Sequence, residues 1–322
     1  MRPSGAVPRF GLLVPCKNGA RFLPRLFAAA RAQTRPFDEI WLFDDGSTDN
    51  TGEVARSLGA QVLRAERSLG PSAARNRLVA ACACEWLHFH DADDTMDPTY
   101  LARTTQETGP NVDVVVCDMA WIEDAATVSG ETWTYRYDRV AFERHPIAYL
   151  IGNTIGGING LYRRSCLKAV GGFNEALFYW EDMDLNMRLC AAGARVAIVN
   201  ECLVTAYRHP ASHCNTNVGE VWRVKLRLLA ELLPSTDVAL RSAIAQNAEE
   251  IARCLAGLGF WGDVSEALRV ARDAGGHPPT TKNPALQLAK ALLSPERAFR
   301  LQHWIHHLLQ GHAGVSSRGT RP

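Results

Sequence analysis

Short apolar runs alternate with stretches of helical periodicity over the N-terminal third of the chain. Five of these runs have the length and composition of buried strands: 10–14, 39–43, 61–64, 86–89 and 112–117. Between them, residues 20–33 and 71–83 place apolar residues at helical spacing, and Pro71 suits the first turn of a helix. Asp49 is predicted to be the N-cap of another helix. Such alternation predicts an α/β fold with a doubly wound sheet, mixed or parallel.

The regular pattern breaks down after residue 118. Residues 119–160 mix aromatic residues with polar residues and glycines, which predicts an irregular insertion around a functional site. A helical pattern then returns at 181–191 and a strand pattern at 195–199.

The remainder of the chain is predicted to be almost entirely helical. Its helical patterns cover 219–233, 237–257, 263–274 and 284–309. We therefore expect a catalytic α/β domain over 1–218 and a helical C-terminal extension over 219–310. Residues 311–322 are rich in glycine, serine and arginine, which predicts a disordered tail.

The composition is that of a globular protein able to bury a sizeable core. Of its 322 residues, 47% are hydrophobic and 21% are charged. The net charge of +1 gives no reason to expect a nucleic-acid partner. The nine cysteines lack CxxC pairs, which indicates reduced thiols in the cytoplasm. Residues 1–9 are polar and no run reaches membrane-spanning length, so we expect a cytoplasmic protein without a secretory signal.

Charge is distributed unevenly along the chain. Residues 219–322 hold 13 basic and 9 acidic residues, a net charge of +4, and the other 22 basic and 25 acidic residues give the N-terminal part −3. An acidic N-terminal part suits a cation site. The basic extension contains an apolar stripe within 296–309. Stripes of this kind more often pack in a core, but this one leaves peripheral membrane association open.

Carboxylates cluster at the ends of two predicted strands. Asp44 and Asp45 follow the second strand, and Asp91, Asp93 and Asp94 follow the fourth. Ligands bind at the carboxyl ends of strands in open α/β sheets, so we expect these side chains to converge there. Converging carboxylates repel one another unless a cation or hydrogen-bond donors intervene, and Mg²⁺ or Mn²⁺ accepts such ligands. The alternative is a set of helix caps and turn residues, for which aspartate is also common.

Five segments in a fixed order resemble the family 2 glycosyltransferases. The segments are Val14-Pro15-Cys16-Lys17-Asn18, Asp44-Asp45-Gly46-Ser47-Thr48-Asp49, Gly70-Pro71-Ser72-Ala73-Ala74-Arg75-Asn76, Asp91-Ala92-Asp93-Asp94 and Trp180-Glu181-Asp182-Met183-Asp184-Leu185. The resemblance covers about residues 9–210 and departs from the family pattern at Cys16 and Lys17. It implies the GT-A fold and transfer of a sugar from a nucleotide donor with inversion at the anomeric carbon.

The resemblance also implies roles for individual residues. The backbone of Cys16–Asn18 borders the nucleobase, Asp45 accepts from a ring nitrogen, Asp91 contacts the ribose and Asp93 binds the metal. The nucleotide-sugar site expected in this way comprises Pro15, Cys16, Asn18, Asp44, Asp45, Ser72, Asp91 and Ala92. Arg75 and Asn76 lie deeper in their helix, where packing roles are at least as plausible.

The acceptor side of the site is expected at the start of the helix after residue 180. The resemblance implies that Asp182 takes the proton from the acceptor hydroxyl and that Glu181 orients the acceptor, with the helix N-terminus favouring ionised Asp182. An acidic first turn also arises without catalysis. By resemblance to some GT-A enzymes, His209 is a candidate second metal ligand, with His213 as second choice, and a surface loop is the alternative for both.

Other functions fit the sequence less well. Asp91-Ala92-Asp93-Asp94-Thr95 matches the motif of haloacid-dehalogenase-type phosphatases, but that motif normally follows the first strand. A receiver-like acidic pocket leaves the aromatic segment unexplained, and a nucleotidyltransferase needs a glycine-rich loop near residue 15. Cys82, Cys84, His88 and His90 lack the spacing of a zinc finger.

We therefore expect a glycosyltransferase that uses Mn²⁺ or Mg²⁺, favours a UDP-sugar donor and acts on a saccharide or glycolipid acceptor. The resemblance suggests polysaccharide or glycoconjugate synthesis as its setting.

Overall fold

The computed structural model describes residues 7–123, 132–208, 217–276, 297 and 299–301. Nine strands within these residues form one sheet. They are β1 (Phe10–Cys16), β2 (Glu39–Asp44), β3 (Gln61–Arg64), β4 (Trp86–Phe89), β5 (Thr95–Met96), β6 (Val114–Glu123), β7 (Thr132–Tyr135), β8 (Gly160–Arg163) and β9 (Val196–Arg208). The order across the sheet is β3-β2-β1-β4-β8-β6-β9-β5, and β7 pairs with β6 outside this path.

The first four strands form the parallel half of the sheet. β1 pairs with β2 and β4, and β2 pairs with β3, with Cys16 opposite Asp44 and Leu13 opposite Phe89. β8 is antiparallel to both β4 and β6, whereas β6 and β9 are parallel. The predicted doubly wound α/β sheet is confirmed in its mixed form.

The described residues contain eleven helices. They are α1 (Leu23–Arg31), α2 (Thr51–Ser57), α3 (Pro71–Ala81), α4 (Tyr100–Thr105), α5 (Arg139–Arg144), α6 (Pro146–Gly152), α7 (Arg164–Ala169), α8 (Glu181–Ala191), α9 (Val218–Glu231), α10 (Val238–Gly257) and α11 (Trp261–Asp273). α1 shows how the sequence directs packing, because Leu23, Leu26 and Phe27 occupy one helical face and are buried. Each such side chain contributes about 1.5–3 kcal/mol through its burial.

The described residues within 119–160 are more regular than the sequence predicts. β6 continues to Glu123 and pairs with β7, and the rings of Trp121 and Trp133 stack across this hairpin with centroids 6.2 Å apart. α5 begins after Asp138, whose carboxylate accepts a hydrogen bond from Ala141 N at 3.0 Å. The prediction of an irregular insertion is therefore wrong for these described residues. Cross-strand aromatic pairing and helix capping stabilise regular structure here, which the polar and glycine-rich composition does not predict.

The start of α2 corrects a smaller prediction. The N-cap residue is Asn50 rather than Asp49, and the Asn50 side chain makes no capping hydrogen bond. The Asp49 carboxylate instead accepts from Thr51 N at 3.0 Å and, across the fold, from Ala20 N at 3.3 Å. Asp49 therefore stabilises this helix from one position before the cap.

The chain divides into two compact units, residues 1–216 and 217–322. The first contains the sheet. The second contains α9, α10 and α11, which correspond to three of the predicted helices, whereas most of the predicted helix at 284–309 and the tail at 311–322 lie outside the described residues. None of the helices that the structure describes is long and apolar enough to cross a membrane.

Candidate active site

Backbone hydrogen bonds join the carboxyl ends of three neighbouring strands. Asp45 N donates to Cys16 O at 2.8 Å, which holds the end of β2 against the end of β1. His90 N donates to Leu13 O at 3.0 Å and holds the end of β4 in the same way. The loops that follow these strands therefore share the edge of the sheet at which ligands bind in open α/β folds.

Asn18 shapes the loop after β1. Its φ of 53° lies in the left-handed region, which asparagine tolerates better than most residues. Its backbone N donates to Ser47 Oγ at 2.9 Å, and its Oδ1 accepts from Thr48 N at 2.8 Å. The Asn18 side chain thus ties the β1 loop to the β2 loop.

Asp44 is fully buried at the end of β2. Its Oδ1 accepts from Ser47 N at 2.9 Å, and its Oδ2 lies 3.2 Å from Arg64 Nη1. These contacts close the turn after β2. Contact between Asp44 and a nucleotide stays a prediction, and the geometry assigns this carboxylate a supporting role in the turn.

Asp45 holds the loop that leads into α3. Its Oδ1 accepts from Leu69 N at 2.6 Å, while its Oδ2 accepts from Ser68 Oγ at 2.6 Å and Gly70 N at 3.1 Å. A carboxylate with three donors around it is fixed in orientation. A nucleobase N–H that binds Asp45 must use the remaining acceptor capacity of the same two oxygens.

Cys16 and Ala92 pack inwards below these loops. Both belong to the buried core, whereas Pro15 is half-buried. Burial raises the pKa of the Cys16 thiol to about 12, and the charges of Asp44 and Asp49 add to this effect. Cys16 is therefore a neutral thiol at physiological pH, so its backbone is the part suited to bordering a ligand.

A buried arginine connects the two halves of the predicted site. Arg75 Nη2 lies 3.0 Å from Asp91 Oδ1, and Arg75 Nη1 lies 2.6 Å from Glu181 Oε1. The Arg75 side chain is 5% exposed, compared with 41% for Asp91 and 12% for Glu181. Gly157 leaves room for this arrangement, because a Cβ there would lie 3.1 Å from Arg75 Nη2. Arg75 on α3 thus joins the loop after β4 to the first turn of α8.

Asp182 is half-buried in the first turn of α8. The pKa of Asp182 is raised to about 7, mainly by burial and also by the Glu181 charge, whereas Arg75 opposes the shift. Asp182 Oδ1 also accepts from Met183 N at 2.7 Å. The backbone N–H groups at the helix start favour the ionised form, as expected, but burial outweighs them. A carboxylate with a pKa near 7 is suited to act as a base at neutral pH.

The loop before α8 is strained and packed against α3. Trp180 has a φ of 62°, a left-handed conformation that costs about 1–3 kcal/mol in a residue with a side chain. Ser72 Oγ donates to Leu177 O at 2.8 Å, and Phe178 packs over Gly70, where a Cβ would lie 3.3 Å from the ring. Ser72, predicted to bind the nucleotide, therefore fixes the loop before α8. Its ligand contact stays a prediction.

Residues 91–94 after β4 form the acidic loop, and Asp94 anchors this loop to the end of β9. Its Oδ1 accepts from Tyr207 N at 2.9 Å. Arg25 donates to the Asp93 carbonyl and lies 4.1 Å from the centroid of the Tyr207 ring. Burial, assisted by the charges of Asp93 and Asp91, raises the pKa of Asp94 well above its usual range. The loop is thereby held beside the strand that leads towards His209.

The acidic loop has the donor type that Mn²⁺ and Mg²⁺ prefer, namely carboxylate oxygens. Asp91 is paired with Arg75 and Asp94 with Tyr207, and within the described residues the loop does not bring three ligand atoms together on its own. Such an arrangement of carboxylates suits an ion that binds one carboxylate and the phosphates of a substrate, which is how proteins commonly bind Mg²⁺. His209 and His213 lie outside the described residues.

The sequence pattern did not reveal the roles of Arg75 and Asn76. Asn76 Oδ1 accepts from Phe173 N at 2.8 Å, and its Nδ2 donates to Phe173 O at 2.9 Å, next to Gly172 with a φ of 75°. Asn76 therefore clamps the loop that leads towards α8. The sequence offered one signal, the place of both residues in the family-like segment 70–76. Their contacts could not be predicted, because the partners Glu181 and Phe173 lie far along the chain.

His88 and His90 form a buried polar chain of their own. His88 Nε2 lies 3.1 Å from His90 Nδ1, and His88 Nδ1 lies 2.7 Å from the Tyr100 hydroxyl. Burial lowers the pKa of His90 to about 3, so the ring is neutral. The structure groups these histidines with Tyr100 and not with Cys82 and Cys84.

Known proteins resemble this chain both in sequence and in fold. The profile of Glycosyl transferase family 2 matches residues 12–171. The succinoglycan biosynthesis protein ExoU of Rhizobium meliloti is 30% identical over 250 residues, which covers 70% of this chain and 71% of ExoU. This identity and coverage establish the family.

Two solved structures share the fold at low sequence identity. S. aureus TarS 1–349 in complex with UDP matches with a TM-score of 0.61 at 18% identity, over 98% of this chain and 94% of TarS 1–349. The mannosyltransferase PcManGT from Pyrobaculum calidifontis, in complex with GDP-Man and Mn²⁺, matches with a TM-score of 0.57 at 16% identity, over 95% of this chain and 87% of PcManGT. The predicted GT-A fold is confirmed. The chain belongs to glycosyl transferase family 2 and is a glycosyltransferase.

Proposed function

We propose that this glycosyltransferase moves a sugar from a nucleotide-diphosphate donor to a hydroxyl group, with inversion at the anomeric carbon and Asp182 as the general base. The observation that carries the proposal is the setting of Asp182. It is half-buried beside Glu181 and Arg75, and burial raises its pKa to about 7. A carboxylate of this kind accepts a proton at neutral pH and still exchanges it with solvent afterwards.

The reaction balances with the side chains present. The acceptor oxygen forms a bond to the anomeric carbon while the bond from that carbon to the diphosphate oxygen breaks. The acceptor proton passes to Asp182, and the electron pair of the broken bond leaves with the diphosphate. Inversion requires one base on the face opposite the leaving group, and Glu181, held by Arg75 at 2.6 Å, is suited to orient the acceptor.

The nucleotide-sugar donor is proposed to bind against the loops at the carboxyl edge of the sheet. The nucleotide is proposed to bind along Pro15, Cys16, Asn18 and Ala92, with Asp45 accepting from the base and Asp91 from the ribose. Asp93 and His209 would hold Mn²⁺ or Mg²⁺, which when bound neutralises the charge on the diphosphate. His209 lies outside the described residues, so its part in this site rests on the sequence alone.

A UDP-sugar is the favoured donor, and a saccharide or glycolipid is the proposed acceptor. The structure of TarS 1–349 contains UDP, and ExoU is named for succinoglycan biosynthesis, a polysaccharide setting. We place this chain in polysaccharide or glycoconjugate synthesis in the cytoplasm, at times peripheral to the membrane. The net charge of +4 in residues 219–322 supports a peripheral position.

The test compares two aspartates of the same helix. Asp182→Asn keeps the shape of the side chain but removes its basicity, so the transfer rate should fall by about 10²–10⁴ while UDP binding persists. Asp184→Asn is the matched control, because Asp184 pairs with Arg188 at 2.6 Å and has no proposed role in the chemistry. Transfer from a panel of nucleotide sugars and calorimetric titration of UDP provide the two measurements.

The assignment of the base is contradicted if Asp182→Asn retains more than about a tenth of the wild-type rate. Glu181→Gln should cost less than Asp182→Asn, because it removes an orienting group and leaves the base in place.

A further inference from the structure

Three potential metal ligands meet at the edge of the sheet opposite the candidate active site. Glu39 is the first residue of β2, Cys82 is the C-cap of α3, and Cys84 lies just before β4. One carboxylate oxygen and the two sulfurs all lie within 4.8 Å of one another. The candidate active site uses the carboxyl ends of the same strands, so this cluster takes no part in the chemistry proposed there.

The cluster is enclosed, and its surroundings leave space for sulfur. Cys82 and Cys84 are both fully buried. A Cβ on Gly11 would lie 2.5 Å from Cys82 Sγ, so any larger residue at this position of β1 would displace the Cys82 thiol. A tetrahedral zinc site with bonds of about 2.3 Å to sulfur separates its two sulfurs by about 3.8 Å, within the spacing found here.

The three groups match the charge of one divalent cation. Cys82 and Cys84 each carry one thiol proton, and loss of both protons leaves two thiolates close to the Glu39 carboxylate. One divalent cation would supply the charge of the two protons that are lost.

A cation and two donors fix the carboxylate. Arg9 Nη2 lies 2.9 Å from Glu39 Oε1. Trp41 Nε1 donates to Glu39 Oε2 at 2.8 Å, and Ala83 N, between the two cysteines, donates to the same oxygen at 3.4 Å. Such outer contacts orient metal ligands. The side chain of Arg9 is 53% exposed and that of Glu39 is 11% exposed, which gives the site a route to solvent.

We propose that Glu39, Cys82 and Cys84 bind a zinc ion. Binding forms two Zn–S bonds and one Zn–O bond and releases the two thiol protons to solvent, with no change of oxidation state. Two thiolates, one carboxylate, Zn²⁺ and the Arg9 guanidinium then sum to zero charge, and one coordination position remains for water. Thiolates select zinc over Mg²⁺ and Mn²⁺, so this site is chemically distinct from the oxygen site proposed at Asp93.

The position indicates a structural role. Bound zinc would fasten the end of α3 and the turn into β4 to the start of β2. α3 carries Ser72 and Arg75 nearer its other end, so an anchor here would stabilise the helix on which both groups stand. Zinc loss should therefore lower thermal stability first and leave the base of the reaction intact.

The test measures metal directly, on the full chain purified with a phosphine reductant. Zinc per chain is measured by plasma mass spectrometry, and Co²⁺ titration of the zinc-free protein is followed by thiolate-to-cobalt charge-transfer absorption. We expect one zinc per chain, a charge-transfer band, and protection of Cys82 and Cys84 from alkylation. Exposed Cys202 should react in either state and serves as the internal control.

Three variants separate metal binding from folding. Cys82→Ala with Cys84→Ala should remove the zinc and the charge-transfer band, whereas Cys254→Ala, at a buried cysteine of the second compact unit, should retain both. Should the double variant fail to fold, Glu39→Gln keeps both thiols. Glu39→Gln should weaken cobalt binding by at least about 10–100-fold, which is the loss found when a residue that only hydrogen-bonds a metal ligand is removed.

Wild-type protein that holds no zinc and gives no charge-transfer band would overturn the proposal. So would a Cys82–Cys84 disulfide in the freshly isolated chain, or cobalt affinity unchanged by Glu39→Gln. None of these measurements uses sugar transfer, so their outcome is independent of the function proposed above.

Discussion

Arg75→Met is the substitution whose cost the structure defines most clearly. The guanidinium is 5% exposed and pairs with Asp91 at 3.0 Å and with Glu181 at 2.6 Å. Methionine has a similar length and no charge, so it leaves both carboxylates without their cation. Breaking a buried ion pair by removing one partner costs about 3–5 kcal/mol. For a unit of this size, each kcal/mol lowers Tm by about 2–4 °C, so a loss of about 6–20 °C is expected.

Arg103→Met is the matched control. Arg103 pairs with Glu201 on the surface, and the two side chains are 42% and 41% exposed. Exposed pairs contribute about 0–1 kcal/mol, so the same change of residue type should have little effect here. Urea unfolding of both variants at neutral pH gives the free energies of unfolding. Equal losses below about 1 kcal/mol for both variants would refute the inference that Arg75 is a buried link.

The pH profile supplies a measurement that a purely structural role would not affect. Arg75 opposes the raised pKa of Asp182, whereas the Glu181 charge supports it. Arg75→Met should therefore move the acidic limb of kcat/KM to higher pH, because the base then needs a higher pH to ionise. Glu181→Gln should move it to lower pH. Shifts in the same direction, or none, would show that these charges do not act on the base.

Three further outcomes are expected. The wild-type transfer rate should fall as the pH drops through about 7, the pKa to which burial raises Asp182, and a rate unchanged well below that pH would contradict the assignment. Asp93→Ala should abolish Mn²⁺-dependent UDP binding in calorimetric titrations without lowering Tm, whereas equal wild-type affinity with and without metal would oppose a metal role. A chain ending at Thr216 should keep its UDP affinity, because every predicted site residue belongs to the unit 1–216. Loss of binding in a folded truncated chain would assign part of the donor site to the helical extension.

The parallel half of the fold was predictable because its signals are local. Each strand from β1 to β4 is a short apolar run, and the carboxylates at 44–45 and 91–94 follow two of them directly. Strand-end placement then brings these groups to one edge without knowledge of the tertiary structure. The hairpin of β6 and β7 was missed because its order depends on pairing between Trp121 and Trp133.

The residues of the site were easier to predict from the sequence than the contacts between them. Arg75 meets Asp91 at a separation of 16 residues and Glu181 at a separation of 106 residues. No periodicity or cap signal encodes such a meeting, because it depends on how α3 and α8 are placed on the sheet. The raised pKa of Asp182 was not predictable for a similar reason, since the helix N-terminus is visible in the sequence whereas burial is not.

The choice of arginine at position 75 follows from this geometry. Two carboxylates on different elements are each contacted by a separate terminal nitrogen, an arrangement that suits the planar, multiply donating guanidinium and not the point charge of lysine. The same cation lies near Asp182 and opposes the burial that raises its pKa. Arg75 therefore helps to set two properties together, the position of the loop after β4 relative to α8 and the pH at which the proposed base becomes active. A single side chain with both effects explains why stability and the pH profile should change together in its variants.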